Sequence, residues 1–316
     1  MPTPALFQSL RLPVIAAPMF IVSNPELVIA QVRSGIVGSF PALNARPVSQ
    51  LDEWLHRITE ETQAFSAPFA VNLIVHRTNT RLGEDLAMLE KWRAPLVITS
   101  LGANPEVNAA VHGWGGVVLH DVIDNMFARK AIEKGADGLI AVAAGAGGHA
   151  GPQSPFALMQ EIREWFDGPV ALSGAIATGQ SILAAQAMGA DFAYIGTPWI
   201  ATKEANAATD YKQAIVDGHA SDIVNSNLFT GVHGNYLRPS IVAAGMDPDN
   251  LPQGNKTQMD FGSGGNTAAK AWKDIWGAGQ GIGAIKSVGS VAEHVEALAA
   301  QYQFAKAELR RRAGLE

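Results

Sequence analysis

Eight short apolar runs recur along this chain, with a helix-like stretch after almost every one. They occupy residues 12–19, 35–40, 69–75, 96–100, 115–120, 138–143, 169–175 and 192–200. Most are continuous rather than alternating, which is the pattern of strands buried on both faces of a parallel sheet. Parallel neighbours need crossovers, and the intervening segments carry helix signals. Asn24-Pro25-Glu26 and Asn104-Pro105-Glu106 each supply a cap, a first-turn proline and an acid at the positive helix end. The helical stretch 122–134 stops at Lys134-Gly135, and the stretch 179–188 stops before Gly189. Eight βα units predict an α/β fold, a (β/α)8 TIM barrel. The rival is a doubly wound open sheet, which normally carries G-x-G-x-x-G in its first turn. Here that turn reads Ala16-Ala17-Pro18-Met19-Phe20 and has no glycine.

The βα rhythm breaks after the eighth run. A polar helix-like stretch, 203–216, leads into a region rich in Gly, Asn and Pro. Segments 225–235, 246–253 and 261–265 read as loops, and a helical pattern resumes over 267–276. The last helix spans about 291–312. The expected organisation is a barrel made of 1–200 and 277–316. Residues 201–276 are then an inserted, mainly helical and loop subdomain on the substrate side, placed to act as a lid. A chain of 316 residues suits one barrel with such an insertion, and 47% hydrophobic against 16% charged residues supports a large core.

The net charge of −6 without any basic block argues against nucleic acid and anionic membrane as partners. No apolar run approaches the roughly 18 residues of a membrane span. Met1-Pro2-Thr3-Pro4-Ala5-Leu6 lacks the basic and apolar regions of a signal peptide, so the expected compartment is the cytoplasm. The surface charge is compatible with either a monomer or a homodimer. Zero cysteines remove disulfides, thiolate metal sites and a cysteine nucleophile. No H-x-x-x-H or H-E-x-x-H spacing occurs, so no metal site is expected.

Chemistry concentrates where runs end. The sixth is followed by Ala144-Gly145-Ala146-Gly147-Gly148-His149-Ala150-Gly151 and then by the helix start Ser154-Pro155. Glycines there let a flat ligand approach the backbone, beside one imidazole able to move a proton. The seventh run ends in Ser173-Gly174-Ala175-Ile176-Ala177-Thr178-Gly179, and the eighth contains Tyr194-Ile195-Gly196-Thr197-Pro198. In barrels the loops after strands seven and eight commonly bind phosphate through backbone N–H groups. The P-loop pattern G-x-x-x-x-G-K-[ST] is absent.

Ala17-Pro18-Met19, Val71-Asn72-Leu73, Gly147-Gly148-His149, Ser173-Gly174-Ala175-Ile176 and Ile195-Gly196-Thr197 together resemble the FMN-dependent nitronate monooxygenases, formerly 2-nitropropane dioxygenases. The resemblance runs from about residue 12 to 202 and resumes at Ala271-Trp272-Lys273-Asp274-Ile275-Trp276 and Gly279-Gln280-Gly281. Flavin-dependent enoyl-acyl-carrier-protein reductases and NADH:quinone reductases share these motifs. The resemblance implies FMN as cofactor. It puts Ala17, Pro18 and Met19 under the isoalloxazine, Asn72 on its polar edge or ribityl chain, and Gly147 and Gly148 against the ring. Gly174, Ala175, Gly196 and Thr197, with Tyr194 and Ile195 beside them, hold the phosphate. Gln280 and Gly281 approach from the far side, and His149 faces the substrate as general base or anion-binding group.

The chain departs from the family pattern at several positions. Gly145 stands where many relatives carry Glu, Val142 where many carry Gln or Asp, and Ala175 where the second glycine of a pair is usual. Asp121 lies near the place of a lysine in some relatives. His76, His120 and His233 are further candidates for lining the substrate pocket, each with the plainer reading of a hydrogen-bonded loop histidine. Trp272 and Trp276, four apart, are expected to pack in the core. The expected reaction is oxidation of alkyl nitronates, or nitroalkanes, by O2 to carbonyl compounds and nitrite. The alternatives are an NAD(P)H-dependent flavin reductase acting on quinones or an enoyl thioester, and a flavin-free barrel that binds a phosphorylated metabolite.

Overall fold

The computed structural model describes residues 4–254 and 274–314. In chain order, β1 (Val14–Ala16), α1 (Pro25–Arg33), β2 (Gly38–Pro41), α2 (Val48–Thr62), β3 (Phe69–Ile74), α3 (Leu82–Lys91), β4 (Leu96–Ser100), α4 (Pro105–Gly113), β5 (Val117–Val122), α5 (Asn125–Glu133) and β6 (Gly138–Val142) alternate. A two-residue strand, β7 (Gly148–His149), precedes α6 (Pro155–Arg163), β8 (Val170–Ser173), α7 (Gly179–Ala187) and β9 (Phe192–Ile195). Then come α8 (Thr197–Ile200), α9 (Thr209–Asp217), β10 (Ile223–Ser226), β11 (Gly234–Leu237), α10 (Arg238–Ala243) and a final helix α11 (Val291–Ala313). The local signals act as expected. Asn24 Oδ1 accepts the Leu27 N–H at 3.0 Å, Asn104 Oδ1 accepts the Glu106 N–H at 3.0 Å, and Ser290 with Glu293 forms a capping box on α11.

Eight parallel strands run in the order β1-β9-β8-β6-β5-β4-β3-β2. A parallel bridge from Ile15 to Val37 joins the two ends, closing the sheet into the TIM barrel. Side chains alternate between two layers. Ile15, Val37, Ala70, Leu96, Ile98, Leu119, Ile140, Ala171 and Phe192 fill the interior, and Phe7 plugs its lower end against Phe192 with ring centroids 4.6 Å apart. One step towards the strand C-termini the inward positions turn polar, at Asn72, Ser100, Asp121, Ser173 and Tyr194. The site is therefore expected at that end, where barrel active sites lie.

Two sequence readings change. The eighth run does not continue as strand to residue 200: Gly196 breaks it and Thr197–Ile200 turns helical. Pro198 has no N–H for a central ladder but suits a first helical turn. Segment 225–235, read as a loop, contains parts of β10 and β11, which pair antiparallel and continue onto β7. These strands are short and mix polar with apolar residues, so no apolar run marks them. Tyr236, Ile241 and Ile275 form a small separate apolar cluster with Val224, Phe229, Met246 and Leu251 packed on it. The loop reading at 261–265, most of the helical reading at 267–276 and Trp272 lie outside the described residues. Trp276 packs face to face on Tyr211, centroids 5.0 Å apart.

α11 closes the barrel by lying across α7. The contact has no room to spare: a Cβ on Gly179 would come within 2.1 Å of the Tyr302 backbone nitrogen. Gly179→Ala is expected to separate the two helices and lower unfolding stability by about 1–3 kcal/mol, read from urea titration. An unchanged midpoint would contradict this packing account.

Candidate active site

The polar ring at the mouth of the barrel is hydrogen-bonded within itself. Asn72 Nδ2 donates to the Ile98 carbonyl at 3.0 Å and to Ser100 Oγ at 2.7 Å. Ser100 and the Leu101 N–H hold the Asp121 carboxylate, yet burial dominates and pushes its pKa up to about 6. Tyr194 lies near it, its ionisation pushed well up by burial and then by the charge of Asp121. His120, the residue before Asp121, points the other way. Its Nδ1 lies 2.6 Å from Thr99 Oγ1 in the layer between strands and helices, and burial pushes its pKa down to about 4. The structure thus turns Asp121, and not the candidate His120, towards the mouth.

Beside this ring lies an open cradle, walled by Gly145, Ala146 and Gly147, by Ser173, Gly174, Ala175 and Ile176, by Tyr194, Gly196 and Thr197, and by Gly279 and Gly281. Most of its wall is backbone. Gly174 has φ +137°, and a Cβ there would meet the Ala144 carbonyl at 2.7 Å. A Cβ on Gly147 would meet the Gly279 nitrogen at 2.8 Å. Ala175 holds φ 54°, the left-handed region that glycine would occupy without strain. Two strand ends and the returning chain meet at one atom: the Gly145 carbonyl accepts from Ala175 N at 3.2 Å and from Gln280 N at 2.9 Å. Gly279 N donates to Thr197 Oγ1 at 2.9 Å. The return is braced from behind, where Tyr211 stacks on Trp276 and donates its hydroxyl to the Gly277 carbonyl. Ala17 N donates to the Ile195 carbonyl at 2.7 Å, and Ala17 and Met19 side chains lie 3.5 and 3.7 Å from where a Gly196 Cβ would be. Such a wall of backbone and small side chains, with no carboxylate among the lining residues, suits a phosphate.

His149 stands at the rim on β7. The ladder to β11 pairs it with Gly234, and pairs Gly148 with Asn235. Asn235 also donates through Nδ2 to the Ala146 carbonyl at 2.6 Å, so the hairpin grips the glycine loop from outside. His149 Nε2 lies 2.9 Å from Thr230 Oγ1. Burial pushes the imidazole pKa down to about 4, so the ring is neutral at neutral pH. The other histidine candidates are engaged elsewhere: His76 Nδ1 with Thr78 Oγ1 at 2.9 Å, and His233 Nδ1 with Asn225 Oδ1 at 2.8 Å. The sequence reading missed Thr230, Asn235 and Gly279. Gly279 was visible in Gly279-Gln280-Gly281, but nothing local marks the other two. Among the described residues, no cluster of three or more His, Asp or Glu is arranged to hold a metal, and no helix is long and apolar enough to cross a membrane.

Residues 5–301 match the profile of the nitronate monooxygenase family. The chain belongs to that family. It is similar to a nitronate monooxygenase of Paraburkholderia phytofirmans, 28% identical over 312 residues that cover 82% of each chain. It is also similar to the (3aS,4S,5R,7aS)-5-hydroxy-7a-methyl-1-oxo-octahydro-1H-indene-4-carboxyl-CoA dehydrogenase of Rhodococcus jostii, 26% identical over 246 residues, 73% of this chain and 68% of that one. Among solved structures, a nitroalkane oxidase from Streptomyces ansochromogenes superposes with TM-score 0.82 at 26% identity, covering 97% of this chain and 100% of that chain. As a family member, this chain is an oxidoreductase.

The buried imidazole links protonation to stability. Its folded pKa of about 4 lies below the ordinary histidine value of 6.5, so between those values the unfolded chain binds a proton at His149 that the native chain refuses. That contribution to stability is complete above about pH 6.5 and is lost as pH falls towards 4. His149→Asn removes it, so the slope of unfolding free energy against pH should flatten by about 1.4 kcal/mol per pH unit near the middle of that window. Urea titrations of both proteins across the window test this, and parallel slopes would contradict it.

Proposed function

We propose that this family member oxidises alkyl nitronates, and neutral nitroalkanes, with O2 to carbonyl compounds and nitrite, using FMN. The observation that carries the proposal is a neutral, anchored His149 at the rim of a cradle walled by backbone at the ends of β8 and β9. The backbone-rich wall of the cradle, without a carboxylate among its lining residues, supports the binding of the cofactor's phosphate. Gly174, Ala175, Gly196 and Thr197 would hold the phosphate, with Tyr194 and Ile195 beside them and Gly281 approaching from the far side. Ala17, Pro18 and Met19 would support the ring, Gly147, Gly148 and Gln280 would close on it, and Asn72 would reach its polar edge. When bound, FMN supplies the electron-accepting centre and the reactivity towards O2.

The chain's own residues do the rest. A neutral imidazole accepts the acidic α-proton of a nitroalkane, and the protonated ring then faces the nitronate anion it has made. A substrate that arrives already as the nitronate does not need the proton step. The packed loops of 144–151 and 277–281 would shield the reacting face from water. Residues 201–276 would form the substrate side, and the rest of the chain the FMN barrel.

His149→Asn should keep the bound yellow cofactor and lose roughly a hundred-fold or more in turnover of neutral nitroalkanes. Retained activity would overturn the role of the imidazole. The decisive test of the reaction is anaerobic mixing of the flavin-loaded protein with propionate 3-nitronate, and separately with NADH or NADPH, followed by the visible spectrum. Bleaching by the nitronate alone supports the proposal. Bleaching by the pyridine nucleotide alone replaces it with a reductase acting on quinones or an enoyl thioester.

A further inference from the structure

We propose that Asn44 is a positioning residue, which together with Asn206 holds Ile21 in a left-handed turn and so fixes Met19 at the wall of the cradle. The proposal deepens the reading of the cradle as the FMN site and rests on it for what Met19 would touch.

The segment after β1 carries Ala17, Pro18 and Met19 past the cradle and then turns at 19–23 into α1. Within that turn Ile21 has φ 68°. A β-branched side chain is an outlier there, because its two branches crowd the backbone. Among the described residues, Ile21 is the only β-branched one with positive φ. Its side chain is 36% exposed, so burial does little to hold it in place. Such a conformation persists only where the surroundings over-determine it.

Asn44, in the turn after β2, supplies much of that grip. Its Nδ2 donates to the Met19 carbonyl at 3.0 Å and to the Ser23 carbonyl at 2.8 Å. Its Oδ1 accepts the Ile21 N–H at 3.0 Å. Carbonyls only accept and a peptide N–H only donates, so the amide fits one way round. Ser23 adds to the hold: its Oγ accepts the Met19 N–H at 3.0 Å, and its N–H donates to the Met19 carbonyl at 3.0 Å. Asn206 acts from the other side, between α8 and α9. Its Nδ2 donates to the Ile21 carbonyl and its N–H to the Val22 carbonyl, both at 3.0 Å. The N–H and the C=O of the strained residue are thus each held by a side-chain amide, from two separate loops.

The clamp delivers Met19. Its Sδ lies 3.7 Å from where a Cβ on Gly196 would be, and Gly196 lines the cradle. On one side of Met19 the chain is tied to β9 through Ala17 N and the Ile195 carbonyl, and on the other it is held by the amides. Relaxation of Ile21 to negative φ would redirect the chain between those anchors and withdraw Met19 from Gly196.

The test uses the full-length protein, loaded with FMN and labelled with 13C-methyl methionine, the Met19 signal being the one lost in Met19→Leu. Asn44→Ala should shift the Met19 signal and weaken FMN binding about ten-fold. Asn44→Asp keeps an oxygen for the Ile21 N–H but loses the donor to both carbonyls, and should behave like Asn44→Ala. Glycine adopts positive φ without strain, so Ile21→Gly added to Asn44→Ala should return the Met19 signal towards wild type and recover part of the affinity. A general loss of packing would not be repaired by removing a second side chain. An unchanged Met19 signal in Asn44→Ala, wild-type behaviour of Asn44→Asp, or a double variant that binds FMN no better than Asn44→Ala would overturn the proposal. If the wild-type chain takes up no FMN, the reading of the cradle fails, and the Met19 signals of the same variants still decide whether Asn44 holds the turn. If Asn44→Ala does not fold, Asn206→Ala, alone and with Ile21→Gly, decides it by the same measurements.

Discussion

The carbonyl of Gly145 is the point on which the site depends. It accepts one hydrogen bond from the loop after β8 and one from the chain returning at Gln280. The first contact needs β6 and β8 paired side by side in the sheet, and the second needs the chain to return at 279–281. A bulky residue at Gly145 would push into the Gln280 side chain and the Cβ of Ala175. The glycines at 145, 147 and 174 are therefore matters of distance as much as of backbone freedom. They let three segments approach until main chain meets main chain, which leaves a wall rich in peptide groups where an anion can sit.

Around that point the structure divides its labour by polarity. The lower barrel is dry and filled with Ile, Leu, Val and Phe, and this gives the fold its rigidity. The upper ring carries Asn72, Ser100 and Asp121 in one hydrogen-bonded chain. At the rim the charges are muted: His149 is held neutral by burial, and burial keeps Asp121 protonated to higher pH than a free carboxylate.

Much of the fold was legible because its signals are local. A strand buried on both faces reads as an apolar run wherever it occurs, and Asn-Pro-Glu caps a helix through contacts within one turn. The glycine loops were legible for the same reason: each lies directly after the strand that it ends. The inward or outward direction of a side chain was harder. In 115–120 the run is continuous, so nothing in it separates His120 from Asp121, and only the register of β5 against its neighbours turns one inward. The hairpin strands β10 and β11 were illegible because they are short and mix polar with apolar residues, so neither forms a continuous apolar run.

By itself the sequence determined that this chain closes eight strands into a barrel, that glycine-rich turns end three of them, and that one histidine follows the sixth. Those are consequences of hydrophobic burial and backbone freedom, which act between near neighbours. Only the tertiary structure decided which groups surround that histidine. Thr230 meets it from 81 residues away, and Asn235 reaches Ala146 across 89. Contacts at such separation depend on the pairing of β7 with β11, and a hydrogen bond between polar residues in two loops leaves no periodic trace in either.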